Sequence, residues 1–243
     1  MAIGFHDFIL EVIPVMDWRS SSRRSAIIAA CCLASAAVKA ADGWSDSFTG
    51  RLGALALLQT LNGEILASSS ATRTLEQWCA AHHLSGTAPA RIIAQRVATE
   101  GKAASPDQLQ RLQLSADEPV KYRHVRLLCG DAVLSEADNW YVPGRLTAAM
   151  NDLLDHGDTP FGKVVQALSP FRRTFFATLL WHPLADGWEM QPGQQDGSEE
   201  RTAMPDVLFE HRAVLYSKDN LPFAEVDERY QRGLLGFPPP QQR

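Results

Sequence analysis

The chain has 243 residues, 23 Lys and Arg against 28 Asp and Glu, and an apolar fraction of 45 %. That length holds one large or two small domains with a sizeable core. The mild negative charge and the lack of any Lys/Arg run interleaved with aromatic residues speak against a nucleic-acid partner.

In chain order, the first feature is a leader. Arg19, Arg23 and Arg24 form a basic segment, Ala26 to Ala37 is an apolar run too short to cross a bilayer, and Val38-Lys39-Ala40 places small residues at cleavage positions. We read residues 1–40 as a secretory signal region with a natural start at Met16, and residues 41–243 as a single domain exported to the periplasm. Ile28 to Cys31 fits a lipobox, but the apolar run continues past Cys31, which suits plain cleavage better than lipid anchoring. No stable membrane span remains after removal of the signal. Without residues 1–40 there are 19 Lys and Arg against 25 Asp and Glu, a net charge of −6, and two cysteines, Cys79 and Cys129. Both fall in apolar surroundings, where a disulfide in an oxidising compartment and a buried free thiol are both ordinary outcomes.

Gly50 to Leu61 carries an apolar helical stripe that Asn62-Gly63 is expected to stop. Ser68 to Ser70 cap a second helix over Ala71 to His82. The adjacent His82-His83 pair lacks the spacing of a metal site, and no other metal-ligand pattern occurs. Ala90 to Val97 reads as a strand, and Gly101 to Ala116 as a polar connector with one helical turn near Gln108. A hairpin over Arg123 to Tyr141 ends at Pro143. Helices are expected over Leu146 to Leu154 and, capped by Thr159-Pro160, over Phe161 to Leu168. A strand follows over Arg173 to Trp181, then an exposed polar excursion over residues 186–205, a second hairpin over Arg212 to Tyr230, and a proline-rich tail.

The two hairpins are related in sequence. Arg123 to Tyr141 and Arg212 to Tyr230 align without a gap and match at Arg123/Arg212, Val125/Val214, Glu136/Glu225, Asp138/Asp227 and Tyr141/Tyr230. With two-residue turns at Gly130-Asp131 and Asp219-Asn220, the cross-strand partners are Arg123 with Asp138, Val125 with Glu136, Arg212 with Asp227 and Val214 with Glu225. Each hairpin then presents a guanidinium and two carboxylates on one face. Such a face is either a structural brace contributing ~0.2–1 kcal/mol or a site for an anionic ligand, with Arg as a carboxylate fork and Glu as acid or base. Strands supplied as hairpins, with helices before and between them, predict an α+β fold. It has an antiparallel sheet built from two related hairpins plus additional strands, with helices packed on one side.

Three stretches resemble the chorismate pyruvate-lyase family, whose fold is shared by ligand-binding domains of bacterial transcription regulators. They are Arg123 to Pro143, with its Arg-x-Val-x-Leu-x-Cys strand; Thr159 to Phe175, with Thr-Pro-Phe-Gly and Arg173; and Ser217 to Val226. The resemblance implies that Glu225 is the active-site glutamate, that Arg123 holds the substrate carboxylate, and that Phe161 lines an aromatic pocket. Counting back from Pro143 without a gap puts His124 in the arginine's place, whereas the Arg-x-Val-x-Leu alternation favours Arg123. Arg173 and Arg212 are further candidate cations. The implied activity is elimination of pyruvate from chorismate or a related enolpyruvyl precursor, with no cofactor and no metal. The alternative is a periplasmic binding or sensing module for a small aromatic carboxylate, and a third reading is an envelope protein whose Arg–Asp pairs only brace the hairpins. Export fits the lyase poorly, because the family's enzymes act where chorismate is made.

Overall fold

The computed structural model describes residues 43–115, 118–191 and 200–239. The expected leader, the cleavage position assigned to it and the middle of the expected polar excursion lie outside these residues.

Ser47 caps the first helix, α1 (Phe48–Ala67), by accepting from the Gly50 N–H at 3.1 Å. This helix runs straight through the expected stop at Asn62-Gly63. Tertiary packing overrides the local signal there, since Leu61 and Ile65 are buried on either side and Asn62 holds a histidine from the sheet. Ser70 caps α2 (Ala71–Ala81), whose apolar side buries Leu75, Trp78 and Cys79. After β1 (Ile92–Arg96), the short α3 (Pro106–Arg111) starts on a capping box formed by Ser105 and Gln108. The first hairpin is β2 (Lys121–Cys129) and β3 (Ala132–Tyr141). Then come α4 (Ala148–His156), α5 (Phe161–Val164) and β4 (Phe171–Leu179), and finally the second hairpin, β5 (Val207–Tyr216) and β6 (Pro222–Gln231).

All pairings are antiparallel and the sheet order is β1-β2-β3-β6-β5-β4. The two hairpins meet along β3 and β6, where Asp138 pairs directly with Asp227, its own counterpart in the repeat. Matching residues of β3 and β6 therefore lie about a local twofold axis through that pair, and β1 and β4 flank the hairpins at equivalent outer positions. One face of the sheet is covered by α1, α2, α4 and α5, with apolar clusters beneath α1 and α2 and beneath α4 and α5. α3 stands on the other face, where Arg111 reaches Glu225. Cys79 of α2 and Cys129 of β2 form a disulfide with 6.4 Å between their Cα atoms.

The first hairpin differs from the expected register by one residue. Cys129 pairs with Ala132 across the turn, but a bulge near Leu127 and Leu128 shifts everything beyond, so that Arg123 faces Asn139 and Val125 faces Ala137. The second hairpin keeps the expected pairs, Arg212 with Asp227 and Val214 with Glu225. Side chains alternate between faces, so a one-residue shift moves Arg123 to the face opposite Arg212. The first turn needs Gly130, which has φ +56° and would bring a Cβ to 3.1 Å from the Ser85 backbone. Asn220 takes the corresponding left-handed conformation in the second turn, at φ 61°.

Candidate functional site

The helix-covered face carries, from β2 to β5, the rows Arg123–Asn139–Val226–Ala213 and Val125–Ala137–Glu228–His211. Between these rows and the helices lies a cavity of about 50 Å³. Its roof is the start of α2, at Ser70, Ala71 and Thr72, together with Phe161, Gly162 and Val165. Gly162 is needed for the approach of α5 to α2, because a Cβ there would lie 3.0 Å from the Thr72 hydroxyl. The Phe161 ring sits 5.7 Å from Tyr141 and 6.3 Å from Phe223, so packing fixes its position.

From the sheet, three polar side chains line this mostly apolar space, Asn139, Arg172 and Glu228, opposite the hydroxyls of Ser69, Ser70 and Thr72. The Arg172 side chain is 3 % exposed. Its Nη1 meets Glu228 Oε2 at 2.5 Å, its Nε donates to the Thr174 hydroxyl at 3.2 Å, and its Nη2 has no partner among the described residues. The same Glu228 oxygen accepts from the Tyr230 hydroxyl at 3.0 Å. Burial and the Glu228 charge push the Tyr230 phenol well above its ordinary pKa, so it remains a donor. Behind this pair, His211 is fully buried, and its Nε2 lies 2.7 Å from Asn62 Oδ1. Burial, reinforced by Arg172, pulls the His211 pKa down to about 4 and keeps the ring neutral at physiological pH.

Arg123 is also buried beneath the helices, 2 % exposed. Its Nη2 reaches the Thr159 and Gly157 carbonyls at 3.4 and 3.5 Å, while Nε and Nη1 have no partner among the described residues. Burial first, then the nearby Arg96, lowers its pKa to about 10. Arg123 is absent from the lining of the cavity.

The opposite face is dominated by charge. Glu225 is held by Arg111 in a two-pronged pair, both contacts at 2.8 Å. His124 stands between two carboxylates, its Nδ1 2.6 Å from Asp138 and its Nε2 2.7 Å from Glu136. At the local twofold axis, Asp138 and Asp227 confront one another. Burial works against the ionised form of Asp138, but hydrogen bonds from Tyr122, His124 and Lys102 outweigh it and hold that carboxyl below its ordinary range. Asp227 lacks such donors. Burial and the Glu210 charge lift its pKa to about 6, against the pull of Arg212 and Arg229. Arg212 pairs with Glu210 at 2.6 Å and covers the Phe176 ring, and Arg173 lies beside the stacked Phe171 and Tyr216 rings, 5.3 and 4.8 Å from their centroids.

Phe161 thus lines the cavity. The expected meeting of Arg123 and Glu225 does not occur: Glu225, His124, Arg173 and Arg212 belong to the charged face, and Arg123 to the covered one. The cause is side-chain parity. Val226 lies in the Arg123 row, so Glu225, one residue away, points to the other side. Sequence reasoning missed Arg172, Asn139 and Glu228. The repeat held a signal for two of them: Asn139 and Glu228 occupy equivalent positions, each two residues before the matched tyrosines Tyr141 and Tyr230, and buried tyrosines mark the covered face.

No family model matches the chain. It is 45 % identical over 197 residues to the uncharacterized protein y4mC of Sinorhizobium fredii, an alignment that spans 81 % of this chain and 83 % of that protein. The chain belongs to the y4mC family. Among solved structures, the y4mC-family chain is similar to the effector domain of PhnF from Mycobacterium smegmatis, at 13 % identity and a TM-score of 0.42, over 68 % of this chain and 89 % of that one. It is also similar to a GntR-family transcriptional regulator from Enterococcus faecalis, at 14 % identity and a TM-score of 0.37, over 62 % of this chain and 99 % of that one. With the possible transcriptional regulator YydK of Bacillus subtilis the identity is 15 % and the TM-score 0.39, over 63 % of this chain, which spans 62 % of the length of YydK.

Proposed function

We propose that this chain is a binding module for a small aromatic carboxylate, received in the cavity beneath α2 and α5 and released unchanged. The observation that carries this reading is the cavity itself. It is a small, mostly apolar concave space under a fixed aromatic ring, with convergent polar groups at its floor, and small-molecule sites share that pattern of apolar lining with few polar groups. Its one carboxylate, Glu228, already accepts from Arg172 and Tyr230, so it lacks the freedom expected of a proton-transferring acid. The elimination reading also loses the acid assigned to it, since Glu225 is gripped by Arg111 on the far side of the sheet.

Thermal melting in the presence of 4-hydroxybenzoate tests the proposal. A ligand at 100 times its Kd stabilises the native state by about 2.7 kcal/mol and raises the melting temperature accordingly. Ala137→Leu, whose larger side chain would occupy the cavity, should fold, as its melting curve without ligand would show, and lose that rise. An equal rise in the variant, or release of pyruvate from chorismate by the wild-type chain, would overturn the reading.

A further inference from the structure

We infer that β4 is the contact edge of a dimer, pairing antiparallel with β4 of a second copy of this chain about a twofold axis at Thr178. The inference is independent of the binding reading above.

The two edges of the sheet are finished differently. At β1 the loop before α5 lies along the outside, where the Ala94 N–H donates to the Asp158 carbonyl at 2.7 Å, and Arg91, Gln95 and Arg96 keep the rim polar. β4 has no such cover. Among the described residues no backbone hydrogen bond reaches its outer side, and from Thr174 to Trp181 the sequence TFFATLLW contains neither a charge nor a proline. Phe175, Phe176 and Leu180 are 45, 40 and 49 % exposed there. The neighbouring chain is unsuited to cover them. The segment after β4 turns away to bury Trp181 and Leu184, and residues 192–199 consist of Pro, Gly, Gln, Asp, Ser and Glu. An uncharged edge strand with bare backbone groups is a template for another strand.

Register selects a second copy as that strand. The Leu180 N–H donates inward, to the Leu208 carbonyl beside β5 at 2.9 Å, so by alternation the N–H and C=O groups of Ala177 and Leu179 point outward. A twofold axis normal to the sheet at Thr178 sets Ala177 opposite Leu179 of the second copy, in a pair that exchanges both hydrogen bonds, and repeats this on the other side of the axis. Such an axis keeps each face of the sheet on its own side. Phe176 therefore meets Leu180 of the second copy on the charged face, so that the exposed apolar side chains beyond the bulge at Thr174 to Phe176 cover one another. No like charges are brought together: Arg173 falls outside the paired stretch, and Arg212 and Glu210 on β5 already pair with each other at 2.6 Å. Closed twofold pairing uses up both free edges and stops at two copies. The paired stretch is short, which places the contact among weak, concentration-dependent interfaces.

Sedimentation velocity of the full chain over a wide range of concentration tests the inference. We expect a reversible equilibrium between monomer and dimer. Thr178→Lys, shown to be folded by an unchanged melting curve, should weaken the dimer at least about tenfold, because two ammonium groups then face each other at the axis. Thr178→Cys supplies a second check. Residues that face each other in a pair without backbone hydrogen bonds have Cβ atoms about 4.5–5.5 Å apart, so mild oxidation should link two copies, whereas Ala177→Cys, offset along the strand from its counterpart, should not link. A chain that stays monomeric at every concentration would overturn the inference and leave the edge to a strand from a different protein. A dimer that Thr178→Lys leaves intact, or that Ala177→Cys links as readily as Thr178→Cys, has its contact elsewhere and would overturn it as well.

Discussion

Arg172 and Glu228 show how much depends on single partners inside this sheet. Each is buried, and each is acceptable there because the other is present. Glu228→Leu alone leaves an uncompensated guanidinium and should cost about 3–5 kcal/mol, whereas the double variant Arg172→Met with Glu228→Leu should recover most of that loss. Urea denaturation of the two single variants and the double measures the coupling, and additive losses would refute it. Asp227 is the reverse case, a carboxyl confined beside Asp138 and Glu210 whose pKa rises to about 6. The folded state holds its proton more tightly than the unfolded one, for which the pKa is about 3.9. Stability from this group is therefore present at low pH and lost as pH rises through 6. Asp227→Asn removes the penalty, so its gain should be about 2 kcal/mol larger at pH 7.5 than at pH 4, after discounting for partial exposure. A gain that is larger at pH 4 would show the sign to be wrong. None of these roles could be read from residue type alone, because Asp138 and Asp227 are equivalent in the repeat and differ only in the donors around them.

At the scale of elements, the hairpins, the capped helices and the edge strands were legible in the sequence because their causes are local: turn residues, serine caps and alternating apolar runs. The faces were not. One bulge near Leu127 carries Arg123 to the covered face, and no turn or propensity signal in the sequence announces it. Glu225 and Val226 likewise differ by one step of the pleat, and that step decides between a helix-covered cavity and a charged surface. The disulfide is a second long-range feature. It ties the end of α2 to β2 across 50 residues of sequence, and α2 carries the roof of the cavity at its other end. By the chain-entropy estimate, closing a loop of that length is worth about 4 kcal/mol. Cys79→Ala with Cys129→Ala should lower stability by that order in guanidinium denaturation under oxidising conditions, and reductant should have no effect on the variant. A variant as stable as the oxidised wild type would show that the loop closure contributes nothing.

For the whole molecule, the doubled hairpin explains the architecture. Two copies of one ribbon pair edge to edge about a local twofold axis, the sheet they make needs one covered face, and the helices between and before the copies supply it. That covered face, with Phe161 above and Arg172 and Glu228 below, is where the account places ligand binding, and the densely charged opposite face serves to hold the ribbons together. Amide chemical-shift mapping on the isotope-labelled full chain, titrated with 4-hydroxybenzoate, distinguishes the two faces directly. The account predicts saturable shifts gathered at Thr72, Ala137, Phe161, Val226 and Glu228, with Arg111, His124 and Glu225 unmoved. Shifts centred on Arg111 and Glu225, or none at saturating ligand, would contradict it.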